Sequence, residues 1–593
     1  MRDPSISRLA AARLSPERRK ADLARLRRER FDVLIVGGGV TGVGAAVDAA
    51  SRGLSVALVE ARDLASGTSS RSSKLVHGGL RYLEQLDLAL VHEALRERGL
   101  LATRLAPHLV RPMPFLLPLP RHGALLRGYY GAGVALYDTF AGLVGGGRGM
   151  PLHRHLTATA ARRLFPSLRE DTIGGAIRYY DAQVDDARLV STLARTAASL
   201  GAAVVTSVRA TAFLRAAREV TGVRVEDVES GETFEVSART VIAATGVWTD
   251  DVGQMLALGG SPYRPGLHIR ASKGVHIVVP RAAISGEAGL ILRTETSVLF
   301  VIPWGGHWII GTTDTEWRLD RTHPAASARD IEYLLAQVNS VLARPLSTAD
   351  IEGVYAGLRP LLSGEDESTS ALSRTHAVVE PMLGLMLVAG GKLTTYRVMA
   401  ADVVDRVVRR LDGRRPGALT VHSRTEQLPL LGADGYARLM RTREELASRY
   451  SVTVGVVEHL LERYGSAALE LLAHLRQRPE LARPVAGAPD YLAAEIWYAA
   501  SAEGALHLED ALSRRTRISF ETVHRGVDSA DHAADVLGSV LGWDRRQRSR
   551  EIDHYLATVA AERESQKMPD DLTADAARLG APDVRSPESA PAA

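Results

Sequence analysis

Residues 31–60, FDVLIVGGGVTGVGAAVDAASRGLSVALVE, decide the fold that the sequence predicts. An apolar run from Val33 to Val36 is typical of a buried parallel strand, and it stops at a cluster of glycines. Three of these glycines have the G-x-G-x-x-G spacing, in which the first allows a tight turn and the second lets backbone approach a pyrophosphate. The third lets the following helix pack closely against the strand, and the three are Gly37, Gly39 and Gly42.

The residues after the glycines complete a strand, helix and strand unit. A helix over Thr41 to Ser51 would offer unpaired N–H groups and the positive end of its dipole to phosphates. A second strand, Leu54 to Val59, ends in Glu60, about twenty residues beyond the glycines, where a carboxylate can accept hydrogen bonds from an adenosine ribose. The segment therefore predicts dinucleotide binding.

The composition excludes several classes of protein. At 593 residues the chain is too long for one core, so two or three domains are expected. Cysteine is absent, which excludes disulfides, thiolate metal sites, cysteine nucleophiles and a thiol-tethered cofactor. We find no apolar run near eighteen residues and no His or carboxylate cluster with metal-ligand spacing, so we predict neither a membrane-spanning helix nor a metal site.

The positive net charge is confined to the N-terminus. Residues 1–30 hold ten Arg or Lys and four Asp or Glu, and the remainder of the chain is slightly acidic, so nucleic-acid binding is not expected. A helix over Ser15 to Arg30 would be either a solvated surface helix or a membrane-surface helix. The polar tail 566–593 is predicted to be disordered.

Several later stretches suit the same dinucleotide. Hydroxyls from Ser69 to Ser73 and Lys74 follow the cofactor strand, where they suit pyrophosphate contacts, although a flexible linker is the alternative. The apolar strand in TVIAATGVW (240–248) closes in Thr245-Gly246, which suits backbone packing against the cofactor, although such a strand end is common. Residues 268–314 contain consecutive strands that suit a second, antiparallel sheet.

The motifs SSKLVHGGLRYLE, ATGVW, KGVHIVVP, IGTTD, GLRPL and GGKLTTYR occur here in this order. With them the chain resembles the FAD-dependent, quinone-linked glycerol-3-phosphate dehydrogenases, densely over residues 31 to about 405 and more loosely beyond. The resemblance implies an α/β fold. Its parts are a Rossmann-like FAD-binding domain of the glycine/D-amino-acid oxidase type, an antiparallel β substrate domain and a helical C-terminal domain.

The domain boundaries that we predict follow this plan. The FAD-binding domain comprises 31–110, 166–255 and 355–410, and the substrate-binding cap comprises 111–165 and 256–354. A basic N-terminal extension (1–30), the helical domain (425–565) and the tail (566–593) complete the chain.

The resemblance also implies the site residues. Substrate contacts fall on Arg81, Tyr82, Arg359, Arg374 and Lys392, and the catalytic set is His276, Arg359 and Lys392. Noncovalent FAD contacts fall on Gly37, Gly39, Gly42, Glu60, Ser72, Ser73, Lys74, Leu75, His77, Val208, Gly246, Trp248, Gly391, Lys392, Leu393 and Thr394.

The implied reaction oxidises sn-glycerol 3-phosphate to dihydroxyacetone phosphate and passes the electrons to membrane quinone. His276 is the candidate base, with a satisfied strand histidine as the alternative. The implied location is cytoplasmic, peripheral to the inner face of the cell membrane, with a homodimer left open. Three other functions also remain open: a glycerol-3-phosphate oxidase that uses oxygen, a related FAD amine or amino-acid oxidase, and a non-catalytic flavin sensor.

Overall fold

The computed structural model describes residues 4–79, 87–121, 124–143, 150–171, 173–257, 267–294, 298–362, 376–412 and 422–585. The described strands are, in chain order, β1 Arg30–Val36, β2 Val56–Val59, β3 Leu75–Val76, β4 Arg111–Leu119, β5 Arg154–Thr157, β6 Gly175–Gln183, β7 Ala203–Val205, β8 Val208–Ala216, β9 Glu219–Asp227, β10 Glu232–Ala243, β11 Ile269–Pro280, β12 Gly289–Arg293, β13 Val298–Trp304, β14 His307–Gly311, β15 Thr315–Trp317, β16 Gly353–Leu362, β17 His376–Met382, β18 Leu385–Gly390, β19 Pro484–Val485 and β20 Ala488–Leu492.

Helices connect these strands and form most of the C-terminal region. Those before residue 413 are Pro4–Ala11, Pro16–Arg28, Val40–Ser51, Leu88–Leu100, Ala124–Leu143, Ala158–Leu164, Asp186–Ser199, Thr249–Ala257, Ala328–Asn339 and Tyr396–Asp412. Those after it are Tyr436–Arg441, Arg443–Tyr450, Val454–Tyr464, Ala468–Gln477, Ala493–Glu503, Ile518–Glu521, Ala530–Leu541, Arg545–Ser565 and Asp571–Arg578. Within the described ranges, no helix is both long enough and apolar enough to cross a membrane.

The first sheet is built on the predicted strand, helix and strand unit. Its order is β17-β18-β10-β1-β2-β7, and β8 and β9 form an antiparallel extension of β10. The pairs from β18 to β7 are parallel, as buried apolar strands with helical crossovers require. Helices Val40–Ser51, Asp186–Ser199 and Tyr396–Asp412 bury their apolar sides in one core, on one face of this sheet.

The second sheet is largely antiparallel, and because it contains the strands predicted for the substrate-binding cap, β4, β5 and β11–β15, we call it the substrate sheet. Its order is β15-β11-β14-β13-β12-β4-β6-β3, with β16 paired to β11 and β5 to β6. The predicted fold class is therefore confirmed. Three strands that the predicted boundaries assign to the cofactor domain, β3, β6 and β16, hydrogen-bond within this second sheet. Local strand pattern does not determine which sheet a strand joins, since that depends on partners far along the chain.

The N-terminal extension is part of the folded cofactor domain. Its second helix, Pro16–Arg28, lies within the predicted range and is capped by Ser15, whose side chain accepts a hydrogen bond from the Arg18 N–H. Leu23 and Leu26 are buried in the core on the other face of the first sheet. The extension is therefore held by packing as well as by charge.

The tail is a correction to the sequence prediction. Residues 566–585, which we predicted to be disordered from their polar, Pro- and Ala-rich composition, contain the helix Asp571–Arg578 and pack against the domains. Ala574 is fully buried, and Ala581 and Val584 are nearly so. Composition misled here because a short ordered segment can rely on apolar surface that the rest of the protein supplies.

Candidate active site

The glycine turn after β1 forms a cradle that side chains would fill. Gly37 has φ +116°, and a Cβ placed on it would lie 2.5 Å from the carbonyl oxygen of Ala244 at the end of β10. A Cβ on Gly42 would collide with the carbonyl oxygen of Gly37. The turn and the first helical residues therefore pack as the sequence predicts, with backbone exposed where a pyrophosphate would approach.

Glu60 closes the turn at the end of β2. Its carboxylate accepts hydrogen bonds from the Gly38 N–H at 2.6 Å and from the Arg62 N–H at 2.9 Å. Burial raises the pKa of this carboxyl, and the two backbone donors oppose the rise. The carboxylate is thereby fixed in the wall of a large cavity.

That cavity has a volume of about 570 Å³ and is the place where the predicted cofactor residues meet. Its walls come from the glycine turn, the β2 end, the β10 end and the loop after β18. Of the residues predicted to contact the cofactor, those that line it are Gly37, Gly39, Glu60, Val208, Gly246, Trp248, Gly391, Lys392 and Leu393. Gly42 supports the turn from behind.

Ser72 and Lys74, which are predicted to contact the cofactor, both hydrogen-bond to Asp186. The Lys74 ammonium is fully buried and donates to Asp186 Oδ1 at 3.0 Å and to the Ser70 carbonyl at 3.1 Å. Both the N–H and the hydroxyl of Ser72 donate to Asp186 Oδ2, at 3.0 and 2.7 Å. These side chains fix the loop after β2, and the Lys74 ammonium is directed at Asp186.

Ser73, Leu75 and His77, which are also predicted to contact the cofactor, connect the loop after β18 to the substrate sheet. The Ser73 hydroxyl lies 2.8 Å from Nε2 of His276 on β11. Leu75 is in β3, paired with Gln183. The hydroxyl of Thr394 donates to the His77 carbonyl at 3.2 Å. The predicted FAD and substrate segments are thus in direct contact.

His276 is buried and stacked on Tyr355 of β16, with ring centroids 4.7 Å apart. Burial lowers the pKa of its imidazole well below the usual value, and the positive charges of Arg359 and Lys74 lower it further, so the ring is neutral at physiological pH. Nδ1 is buried and has no hydrogen-bond partner among the described residues. Among the described residues, only Nε2 of the ring therefore has a hydrogen-bond partner.

Arg359 is opposite Ser272 in the pairing of β16 with β11. Its Nη1 donates to Ser272 Oγ at 3.2 Å, and its Nη2 donates to Thr312 Oγ1 and to the Thr313 carbonyl, both at 3.1 Å. Asp314 Oδ1 lies 3.4 Å from Nη1. These partners orient a guanidinium that is 26% exposed.

Glycines make room for both predicted cations. A Cβ on Gly274 would lie 2.8 Å from Nη2 of Arg359. Lys392 follows Gly390 and Gly391, which have φ +76° and +79° and turn the chain between β18 and the helix Tyr396–Asp412. Arg81, Tyr82 and Arg374, the remaining predicted substrate contacts, lie outside the described residues.

Sequence reasoning missed several residues that shape the site. Asp186 holds the loop through Ser72 and Lys74, although the chain separates them by more than a hundred residues. Asp583 and Arg585, from the tail, line the cofactor cavity. No local motif marks these positions. They can be recognised only from the partners that the fold brings next to them.

Comparison with known proteins defines the class that this fold and cavity belong to. The family of FAD-dependent oxidoreductases matches residues 32–397, and the C-terminal domain of alpha-glycerophosphate oxidase matches residues 423–548. The glycine cradle, the Glu60 carboxylate and the 570 Å³ cavity fit a dinucleotide, and the cofactor is FAD. Glu60, Val208 and Arg62 would hold its adenosine half, as expected for an acidic residue that ends the second strand.

Within this class, the relatives point to one group. Glycerol-3-phosphate dehydrogenase 2 of Mycobacterium bovis is 54% identical over 576 residues, covering 97% of this chain and 96% of the relative. The mitochondrial glycerol-3-phosphate dehydrogenase of Mus musculus is 36% identical, covering 91% of this chain and 74% of the relative. The chain therefore belongs to the glycerol-3-phosphate dehydrogenase family.

A solved structure supports the same grouping. The crystal structure of the glycerol-3-phosphate dehydrogenase from Bacillus halodurans, in complex with FAD, is similar with a TM-score of 0.75 and 27% sequence identity. The match covers 92% of this chain and 97% of that chain. The similarity therefore includes the helical C-terminal region as well as the two sheets.

Proposed function

We propose that this protein oxidises the C2 hydroxyl of sn-glycerol 3-phosphate to the ketone of dihydroxyacetone phosphate and delivers the electrons to a membrane quinone. The observation that carries the proposal is the buried, neutral His276, whose pKa the nearby Arg359 lowers further, on a strand that Ser73 joins to the loop after the cofactor strand β2. Lys392 lies in the wall of the FAD cavity. When bound, FAD supplies the hydride acceptor. The relatives named above support the choice of substrate.

Recognition of the phosphate is assigned to the cations. A phosphate dianion in a half-buried pocket needs several charge-assisted donors, and an arginine fork is the preferred one. Arg359 is already oriented by Ser272 and Thr312, so little side-chain freedom is lost when the substrate binds. Lys392 adds a charge from the cavity wall.

Proton removal is assigned to His276. The neutral ring can accept the hydroxyl proton at Nδ1 only if Nε2 carries the hydrogen, and Ser73 Oγ at 2.8 Å is placed to accept from that Nε2–H. Ser73 is therefore assigned a positioning role, in which its hydroxyl oxygen accepts from Nε2–H and leaves Nδ1 as the acceptor. Stacking on Tyr355 fixes the plane of the ring.

Peripheral membrane binding belongs to the same proposal because quinone is dissolved in the bilayer. We assign the lipid contact to the apolar helix Ala124–Leu143, where the Leu136 side chain is 41% exposed. The basic N-terminal extension is the weaker candidate, since Arg19 and Arg27 already form ion pairs with Asp227 and Glu232.

An acceptor assay tests this proposal. Holoenzyme is mixed with sn-glycerol 3-phosphate and liposomes that contain a long-chain quinone, and quinol and hydrogen peroxide are measured together. The proposal predicts quinol formation with little peroxide. Peroxide in equal amount to the ketone, with no effect of quinone, would instead identify an oxidase that uses oxygen.

A further inference from the structure

The C-terminal segment 566–585 reaches the FAD cavity although it follows both matched domains, the oxidoreductase domain (32–397) and the C-terminal domain (423–548). Asp583 and Arg585 line the cavity together with Glu60, Arg62 and Val208. The segment therefore contributes to the part of the wall that faces the adenosine half of the cofactor.

Asp583 is connected through Arg62 to the carboxylate of Glu60, which would bind the adenosine ribose. Its Oδ2 accepts a hydrogen bond from Arg62 Nε at 2.6 Å, and both side chains are nearly buried. The backbone N–H of Arg62 in turn donates to Glu60 Oε1 at 2.9 Å. A change at Asp583 would therefore loosen the residue that helps to orient Glu60.

Arg585 is built into the wall by buried partners. Its Nε donates to Ser207 Oγ at 2.8 Å, its Nη2 donates to Asp510 Oδ2 at 2.8 Å, and its side chain is 2% exposed. The residue after Ser207 is Val208, whose N–H donates to the Glu60 carbonyl at 2.8 Å. Arg585 thus supports the second backbone segment on the adenosine side.

The rest of the segment is anchored to the other domains. Asp571 pairs with the buried Lys273 of β11 at 2.5 Å, which ties the segment to the substrate sheet. The Val584 carbonyl accepts from Arg550 Nη2 at 2.6 Å, which ties it to the helical domain. Ala574 packs in a small core that includes Val247, a residue of the cavity wall.

We propose that residues 566–585 form a C-terminal strap that closes the adenosine side of the cavity and slows the release of FAD. The strap connects the substrate sheet, the helical domain and the cofactor domain, so FAD can leave only after it detaches or after the wall deforms. This role rests on the cofactor alone and is independent of the substrate and of the electron acceptor.

Release of FAD from diluted holoenzyme, followed by the fluorescence of free flavin, tests the strap. Asp583→Asn and Arg585→Met each remove charge-assisted hydrogen bonds from the wall and should speed release by about tenfold or more. Lys567→Met is the matched control, because Lys567 belongs to the same segment, is 69% exposed and pairs with Glu564 only at the surface. Its release rate should equal that of the parent.

Release rates for both wall variants within about twofold of the parent would overturn the proposal. A second measurement uses the unmodified chain, so a folding defect of a variant does not affect it. Trypsin is added to diluted enzyme with and without excess FAD, and cleavage after Arg578, which is 3% exposed, is followed by mass spectrometry. The strap predicts that FAD slows this cleavage by about tenfold. Equal cleavage rates with and without FAD would contradict it.

Discussion

At the scale of the residue, His276 has the two properties that a proton acceptor needs: a neutral ring and an oriented one. Its Nε2 lies 2.8 Å from the Ser73 hydroxyl, and its ring is stacked on Tyr355. We expect His276→Asn to lower kcat by about a hundredfold or more while FAD content is unchanged. His474→Asn, which alters a histidine whose ring lies 4.5 Å from that of Trp497 in the C-terminal region, is the control and should leave kcat unchanged. A normal kcat for His276→Asn would assign the proton to another group.

The two cations of the site allow a second test. Arg359→Ala and Lys392→Ala should each lower kcat by about a hundredfold if the cations stabilise charge that develops at the C2 oxygen. Steady-state kinetics separate this role from simple binding, because loss of phosphate contacts alone raises KM and leaves kcat unchanged. Near-normal kcat and KM with bound FAD would exclude both residues from the site.

The sequence predicts the role of a residue best when its contacts are with neighbours in the chain. Gly37, Gly42 and Glu60 could be predicted because the strand, turn and helix around them form one continuous segment. The ion pair of Lys74 could not, because its partner Asp186 comes from a distant helix. Neighbours in space, and not the residue type, decide what a lysine does.

At the scale of the element, buried ion pairs join the helical domain to the cofactor domain. Arg517 donates to Asp185 and Asp186, which lie at the start of the helix Asp186–Ser199, at 2.5 Å in each case. Arg515 donates to Asp63 at 2.6 Å, and its side chain is also buried. The sequence predicts the helices but not these pairs, since each joins residues hundreds of positions apart.

Removal of one partner measures what such a pair contributes. Arg517→Met should lower the free energy of unfolding by about 3 to 5 kcal/mol, because it leaves Asp185 and Asp186 buried with less compensation. The control is Arg318→Met, which removes an arginine that is 80% exposed and paired with Glu316, and it should change stability by no more than about 0.5 kcal/mol. Urea unfolding followed by circular dichroism checks both values. Equal changes in the free energy of unfolding for the two substitutions would show that burial of the ion pair contributes nothing to stability.

At the scale of the whole molecule, three regions meet at His507. Its Nδ1 lies 2.8 Å from Glu551 and its Nε2 lies 2.9 Å from Glu229, which comes from the turn between β9 and β10. Burial and Arg585 lower the pKa of His507, but the two glutamates outweigh them and raise it to about 10. The charged ring therefore stabilises the fold fully below its unfolded pKa, about 6.5, and this contribution is lost as the pH rises through 10.

We therefore expect the free energy of unfolding to fall between pH 7 and pH 10 by more in the parent than in His507→Gln, which lacks the titrating ring. Urea unfolding at several pH values checks the difference. His532→Gln, whose ring accepts from the Ala486 N–H at the protein surface, controls for loss of a histidine elsewhere in the same domain. Parallel pH profiles for the parent and His507→Gln would contradict the linkage.

The measurement that tests the central claim most directly is an anaerobic titration of the holoenzyme with sn-glycerol 3-phosphate, followed by the visible absorbance of FAD. The account predicts that the absorbance is bleached in proportion to the substrate added, with one dihydroxyacetone phosphate formed for each FAD reduced. Two other compounds should not bleach it at the same concentration. One is glycerol, which lacks the phosphate, and the other is glycine, which represents the substrates of the alternative amino-acid oxidase. Absence of bleaching by sn-glycerol 3-phosphate, or equal bleaching by glycine, would contradict the account.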